Sequence, residues 1–149
     1  MKAVIQRTSE MSVNINGSTY ASCGKGLLVL VSAEKGDSID SCRYLAGKCA
    51  GLRIFEDSEG KMNLALSDIG GELLIISNFT LSGDCVKGRR PSFFAAMEPV
   101  EAEILYEIFI EECKKSCVPV KSGVFGADMK VSLVNDGPVT IQMDTKLMR

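Results

Sequence analysis

Two short segments of this chain place hydroxyls and free backbone groups where an apolar strand would end. The first is Ser77-Asn78-Phe79-Thr80-Leu81, at the close of the run ELLIISNF. The second is Asn135-Asp136-Gly137-Pro138-Val139-Thr140. Ligand sites often sit on loops that a rigid scaffold holds in place. Either segment alone reads better as ordinary strand-end turn chemistry, because Ser, Asn, Asp, Gly and Pro all serve turns. The chain has no histidine. Ser-His-Asp and Cys-His catalysis are therefore excluded, as are zinc sites built on histidine. Hydroxyls, backbone groups, carboxylates, lysines or the substrate itself must carry any reaction. With no C-x-x-C pair either, the expected chemistry uses no metal and no cofactor.

The formal net charge is −2, so nothing pulls the whole molecule toward nucleic acid. RNA binding needs a local patch, and Lys87, Arg89 and Arg90 in VKGRRPS supply one. Three cations around a flexible glycine suit phosphate contacts; the plainer alternative is a solvated loop. Phe93 and Phe94 follow, and aromatics of this kind can stack on a base, although core packing is as good a role for one of them. Six cysteines stand at 23, 42, 49, 85, 113 and 117. Metal ligation or disulfides are one reading; the spacing better fits small buried hydrophobes in a reducing cytosol.

The elements that must position these groups are read from periodicity. Residues 2–8 and 11–16 read as strands, with Asn16-Gly17 as a hairpin signal. The apolar run GLLVLVSA, 26–33, suits a strand buried on both faces. Helical spacing spans 38–51, capped by Asp37 or Ser38. A hairpin follows, 53–56 and 62–66 around DSEGK, and then the strand 72–79. Residues 82–92 form a loop of functional length. Pro99 opens a second helix, 99–116, whose stripe is Val100, Ile104, Leu105, Ile108, Phe109 and Cys113. A last hairpin is expected from 128–134 and 139–144, with KLMR loose at the end. The length of 149 residues favours one domain, 1–149. No apolar run nears the roughly 20 residues of a membrane span, and MKAVIQRTSE turns polar too soon for a signal peptide. The expectation is a cytoplasmic α/β protein: mixed sheets in a layered or barrel-like core, with two helices on one side.

Taken together, MKAVIQR, GKGLLVLV, LRIFEDSEGKMN, KGRRPSF, GVFGADM and VSLVNDGPVT resemble the D-aminoacyl-tRNA deacylases of the common bacterial and eukaryotic type, nearly end to end. The resemblance implies hydrolysis of the ester between a D-amino acid, or glycine, and the terminal ribose of tRNA. It implies a homodimer with sites at the subunit interface. It places Ser77, Phe79 and Thr80 in catalysis and Asn78 at the substrate. It implies a cis Gly137–Pro138 bond that reaches the neighbouring subunit's site and screens chirality, with Arg7 holding that motif. Position 78 departs from the pattern, being Asn where the family usually has Gln. This shortens the reach of the side chain, or changes little if the backbone is what matters. Met129 is a candidate for the pocket wall near Phe125, or plain core.

An aminoacyl ester is already activated, so attack by water needs only modest help. Backbone N–H groups around Phe79 and Thr80 could stabilise the oxyanion. A threonine nucleophile needs an adjacent base; without one, Thr80 is better read as positioning water or the ribose, whose 2′-OH can assist proton transfer. Two parallel carbonyls aimed at the α-carbon would reject every L-residue and let glycine pass. Rival readings are a non-catalytic RNA-binding dimer and a general esterase on the same scaffold.

Overall fold

The computed structural model describes residues 1–148. At its centre β3 (Gly26–Ser32) and β6 (Glu72–Ser77) run parallel. Their unbroken apolar sequences follow from burial on both faces. Leu27, Val29, Leu73 and Ile75 face one core, while Leu28, Leu74 and Ile76 face another. The first core is completed by Cys42, Leu45, Ala46 and Cys49 of α1 (Ile39–Ala50) and by Leu105, Tyr106, Phe109 and Cys113 of α2 (Pro99–Lys114). Both helices therefore lie on one side. α1 carries the chain from β3 to β6, and α2 carries it on to β7 (Val120–Ser122), parallel to β6. Ser38 caps α1 through its hydroxyl, which accepts from Ser41 N–H at 3.3 Å. Among the described residues no helix is long and apolar enough to cross a membrane.

The second core is closed by the sheet itself. β1 (Lys2–Ile15) pairs with β3 through residues 2–8 and with β2 (Ser18–Cys23) through residues 11–15. β8 (Met129–Asp144) runs antiparallel along the whole of β1. The far half of this ribbon brings Met11, Val13, Met129, Val131 and Leu133 onto Leu28, Leu74 and Ile76. The result is the expected α/β architecture, a mixed barrel-like sheet with helices on one side. A separate hairpin, β4 (Phe55–Glu56) and β5 (Met62–Leu64), follows α1.

Several boundaries differ from expectation. The two expected N-terminal strands are one, bent by irregular pairing around Thr8. β6 stops at Ser77, and Phe79–Ser82 form a 3-10 turn. The expected final hairpin does not exist: 128–134 and 139–144 are one strand, and Gly137-Pro138 marks a bulge within it. Val100 and Ile104 are exposed, and Tyr106 takes the inward place. Cys23, Cys42, Cys49 and Cys113 are buried small hydrophobes, but Cys85 and Cys117 are exposed; all six are free. The tail is tied at Lys146, whose Nζ lies 2.8 Å from buried Glu34; Arg149 of the expected loose tail lies outside the described residues. Lys2 Nζ stands 2.9 Å from the other oxygen of Glu34. Burial pushes the Glu34 carboxyl up, but Lys146 and Lys2 outweigh it and hold it below its usual range.

Two glycines separate close approach from mere propensity. A Cβ at Gly26 would lie 1.8 Å from the carbonyl oxygen of Glu72, its partner in β6. A Cβ at Gly47, exposed in α1, would meet nothing within 4 Å. Gly26→Ala should cost at least about 1–3 kcal/mol. Gly47→Ala should stabilise by about 0.5–1 kcal/mol. Urea denaturation midpoints check both; a neutral Gly26→Ala would mean that β3 and β6 can separate without loss.

Candidate active site

The pairing of β3 with β6 ends at Val31 beside Ser77. One residue on, Asn78 N–H donates to the Val31 carbonyl at 2.8 Å, and the chain then turns. Leu81 N–H returns to the Asn78 carbonyl at 3.2 Å. The N–H groups of Phe79 and Thr80 open this turn, so they have no partner within it. A buried contact pins its far end: the Ser82 and Ser32 hydroxyls lie 2.8 Å apart.

A cleft of about 840 Å³ opens beside the turn. Ser77, Asn78 and Phe79 line it, as do Phe93, Phe94, Tyr106, Phe125 and Met129. Met129 is thus in the wall with Phe125, half-buried. Tyr106 is buried beneath the cleft, its hydroxyl donating to the Ile75 carbonyl at 2.9 Å with the Gly123 carbonyl 3.3 Å away. Burial raises its phenol to about 12, so it stays a neutral donor that fixes β6 next to Ser77. Phe79, 59% exposed, meets Phe93 edge-on with centroids 5.1 Å apart. Phe94 is 81% exposed.

Thr80 is exposed, and its hydroxyl donates to Asn78 Oδ1 at 2.5 Å. The hydroxyl hydrogen is spent inside the motif, and the oxygen lone pairs remain. A carboxamide oxygen is not a base, so the contact does not make Thr80 a nucleophile. The buried thiols offer none either. Burial raises Cys42 to about 11 and Cys49 to about 12, and pushes Cys113 up as well.

Lys87, Arg89 and Arg90 are exposed on a loop. Asp84 and Ser92 close its base with paired backbone bonds of 2.8 and 2.9 Å. The loop leads directly into Phe93 of the cleft wall, and its three cations line no part of the cleft.

The second motif lies elsewhere. Gly137 and Pro138 are exposed, joined by a cis peptide, and line no part of this chain's own cleft. Arg7, buried, grips the bulge from below. Its Nε donates to the Asp136 carbonyl at 3.1 Å and its Nη1 to the Ile54 carbonyl at 2.8 Å. Periodicity had no means to flag three other supports: Asn135, Ser82 and Tyr106. The Asn135 amide donates to the Arg7 and Val139 carbonyls at 3.1 and 2.9 Å and so bridges the bulge. Ser32 and Ser82 looked like ordinary small polar residues, and Tyr106 like one more residue of an amphipathic helix.

Comparison with known proteins identifies the family. The chain is 53% identical to the D-aminoacyl-tRNA deacylase of Geobacter sulfurreducens, over 98% of this chain and 96% of that one. It is 57% identical to that of Geotalea uraniireducens, over 97% and 94%. Among solved structures it is similar to the c-Myc DNA unwinding element binding protein, with TM-score 0.91, 38% identity, and coverage of 97% of this chain and 98% of that one. A probable eukaryotic D-amino acid tRNA deacylase shares the fold, with TM-score 0.80, 19% identity, and coverage of 95% and 97%. The model of the D-Tyr-tRNA(Tyr) deacylase family matches residues 4–144, and the chain belongs to that family.

Proposed function

We propose that this protein hydrolyses the ester bond of D-aminoacyl-tRNA, and of glycine carried on tRNA, in the cytoplasm. The observation that carries the reading is the turn after Ser77. Phe79 lines the apolar cleft and Thr80 follows it in the same turn, and their two N–H groups open that turn without a partner inside it. Such donors stabilise the developing oxyanion without a metal, a cofactor or histidine. Loss of one donor typically costs ~10²–10³-fold in rate. Thr80, its hydrogen held by Asn78, presents lone pairs that orient water or the terminal ribose. The vicinal 2′-OH of the substrate then carries the proton. On this reading Asn78 matters through its side chain: the shorter carboxamide reaches Thr80.

The decisive assay incubates the protein with D-Tyr-tRNA, L-Tyr-tRNA, Gly-tRNA and a small aryl ester, with and without chelator. The expected result is release from D-Tyr-tRNA and Gly-tRNA, insensitive to chelator. Hydrolysis of the aryl ester alone would favour a general esterase; binding without hydrolysis would favour an RNA-binding dimer. Thr80→Ala should slow the reaction without abolishing it. Thr80→Ala with Asn78→Ala should be no slower than either single change. A covalent aminoacyl adduct on Thr80 would overturn this assignment.

The chiral filter belongs to a second copy of the chain. In support, the exposed Gly137-Pro138 bulge does not face its own cleft. In a homodimer each bulge would enter the partner's cleft and aim carbonyls at the α-carbon. Arg7 acts here as a positioning residue. Arg7→Lys keeps the charge but loses the planar fork that serves both Asp136 and Ile54. The ratio of kcat/KM for D- over L-Tyr-tRNA should fall at least tenfold. An unchanged ratio in a merely less stable variant would confine Arg7 to folding.

The basic loop, in this reading, holds the acceptor stem. Replacing Lys87, Arg89 and Arg90 with Ala should weaken tRNA binding and flatten its dependence on salt. The same affinity and slope as wild type would leave the loop a solvated turn.

A further inference from the structure

A tRNA end brings charge into the cleft as well as an ester. The phosphate nearest the reacting bond belongs to the terminal nucleotide itself, on the 5′ side of the esterified ribose. It lies within one nucleotide of the Ser77–Thr80 turn whenever the ester is seated there. Some group at the cleft must meet it or leave it to water. The basic loop stands outside, beyond Phe93, and Lys87, Arg89 and Arg90 line no part of the cleft.

Among the described residues, Lys35 is the one lysine or arginine in the cleft wall; the other cationic group there, the Met1 ammonium, is buried against Asp37. Lys35 follows directly on β3, and its position is set by backbone rather than by chance. Lys35 N–H donates to the Ala95 carbonyl at 2.9 Å, and Met97 N–H to the Ala33 carbonyl at 3.1 Å. Glu34 pairs with Ala96 as an isolated bridge. The segment after Phe94 is thereby stitched to the end of β3. The Lys35 ammonium lies 4.2 Å from the centroid of the Phe94 ring, a contact that holds a lysine in place while its head stays wet. Its carboxylate neighbour, Glu98, is 3.9 Å away, and both side chains are largely exposed, at 46% and 74%. A pair so loose and so wet is worth little. Exchange of Glu98 for a phosphate therefore costs little and gains a charge-assisted contact.

We infer that Lys35 binds the 5′-phosphate of the terminal nucleotide, and so sets how far the tRNA end enters the cleft. The inference rests on the hydrolase reading above and adds a specificity residue to it. It also gives the phosphate chain a path: Lys35 at the last phosphate, then the Phe93–Phe94 wall, then the basic loop.

The test removes the phosphate and the lysine separately and together. Wild type and Lys35→Met are assayed on D-Tyr-adenosine and on the same ester of adenosine 5′-monophosphate. Met keeps the stem, and the backbone bond to Ala95 does not depend on the side chain. The wild type should prefer the phosphorylated ester by about five- to tenfold in kcat/KM, chiefly through KM. Lys35→Met should reduce that preference to less than twofold, and Lys35→Arg should restore most of it. With full tRNA, Lys35→Met should also flatten the salt dependence of KM by about one contact's share, a slope change near 0.7. An equal phosphate preference in wild type and Lys35→Met would overturn the inference. If the wild type cleaves neither ester nor D-Tyr-tRNA, the hydrolase reading has failed. The lysine is then tested by affinity for adenosine 5′-monophosphate against adenosine, where an unchanged ratio in Lys35→Met overturns it.

Discussion

Where β3 begins, the backbone of Gly26 lies so close to Glu72 that even a methyl group has no room. That approach locks the register of two parallel strands from Gly26↔Glu72 to Val31↔Ser77. Parallel strands take evenly spaced bonds on both edges and need cover on both faces. Here helices cover one face and the curled ribbon of β1 and β8 covers the other. The consequence at the far end is chemical. Once Ser77 is fixed beside Val31, Asn78 bonds to the Val31 carbonyl and the next two N–H groups open the turn without a partner inside it. The turn is rigid because what precedes it is core. A one-residue slip of β6 would send Leu74 and Ile76 to the wrong face, so the donors of the site inherit the precision of the packing.

The lack of histidine shapes the rest of the site. A hydroxyl without a base is a poor nucleophile, and Thr80 has only the carboxamide of Asn78 within reach of its hydrogen. The contact with Asn78 supplies no base for attack, but it orients the Thr80 hydroxyl and so its lone pairs. Fixed dipoles of this kind cost no reorganisation when charge develops. The chemistry then asks little of side-chain acidity. Of the titratable groups with displaced values, Glu34 and the buried thiols belong to packing and to chain termini, and Tyr106 under the cleft is held neutral as a donor to backbone carbonyls.

Much of this was legible in the sequence where one interaction dominates. GLLVLVS and ELLIIS read as doubly buried strands because nothing polar interrupts them, and Pro99 and Ser38 mark helix starts by backbone chemistry alone. The final strand was misread because Gly137-Pro138 looks like a turn: glycine loosens the chain and proline donates nothing to a ladder. Pairing with β1 on both sides of the bulge, and the clamps of Arg7 and Asn135, carry the strand through. No local pattern contains that information, since Arg7 and Asp136 are brought together only by the fold. The helix stripe held at Leu105, Phe109 and Cys113 but not at its first turns: Val100 and Ile104 have the right spacing yet stay exposed, and Tyr106 turns inward to donate to the Ile75 carbonyl. Lys35 was invisible for the opposite reason. A single lysine after a strand is ordinary until Phe94 and Ala95 are seen against it.

Charge placement reconciles an acidic chain with an anionic partner. A protein of net charge −2 gains no long-range steering toward RNA, and any attraction falls off within a Debye length, about 8 Å at physiological salt. Cations clustered on one loop therefore count for more than the same charges spread over the surface. Lys87, Arg89 and Arg90 extend on a loop closed at Asp84 and Ser92, and Lys35 sits across the Phe93–Phe94 wall in the cleft itself. Glu98, beside Lys35, and Asp128 also line the cleft. A strand of phosphates entering there would meet both signs, and on the Lys35 proposal an end that turns its last phosphate toward Lys35 avoids the repulsion. Cations set among carboxylates would then select the orientation of the bound strand as well as its binding, and a site that must tell a tRNA terminus from an internal stretch of RNA would gain from that arrangement.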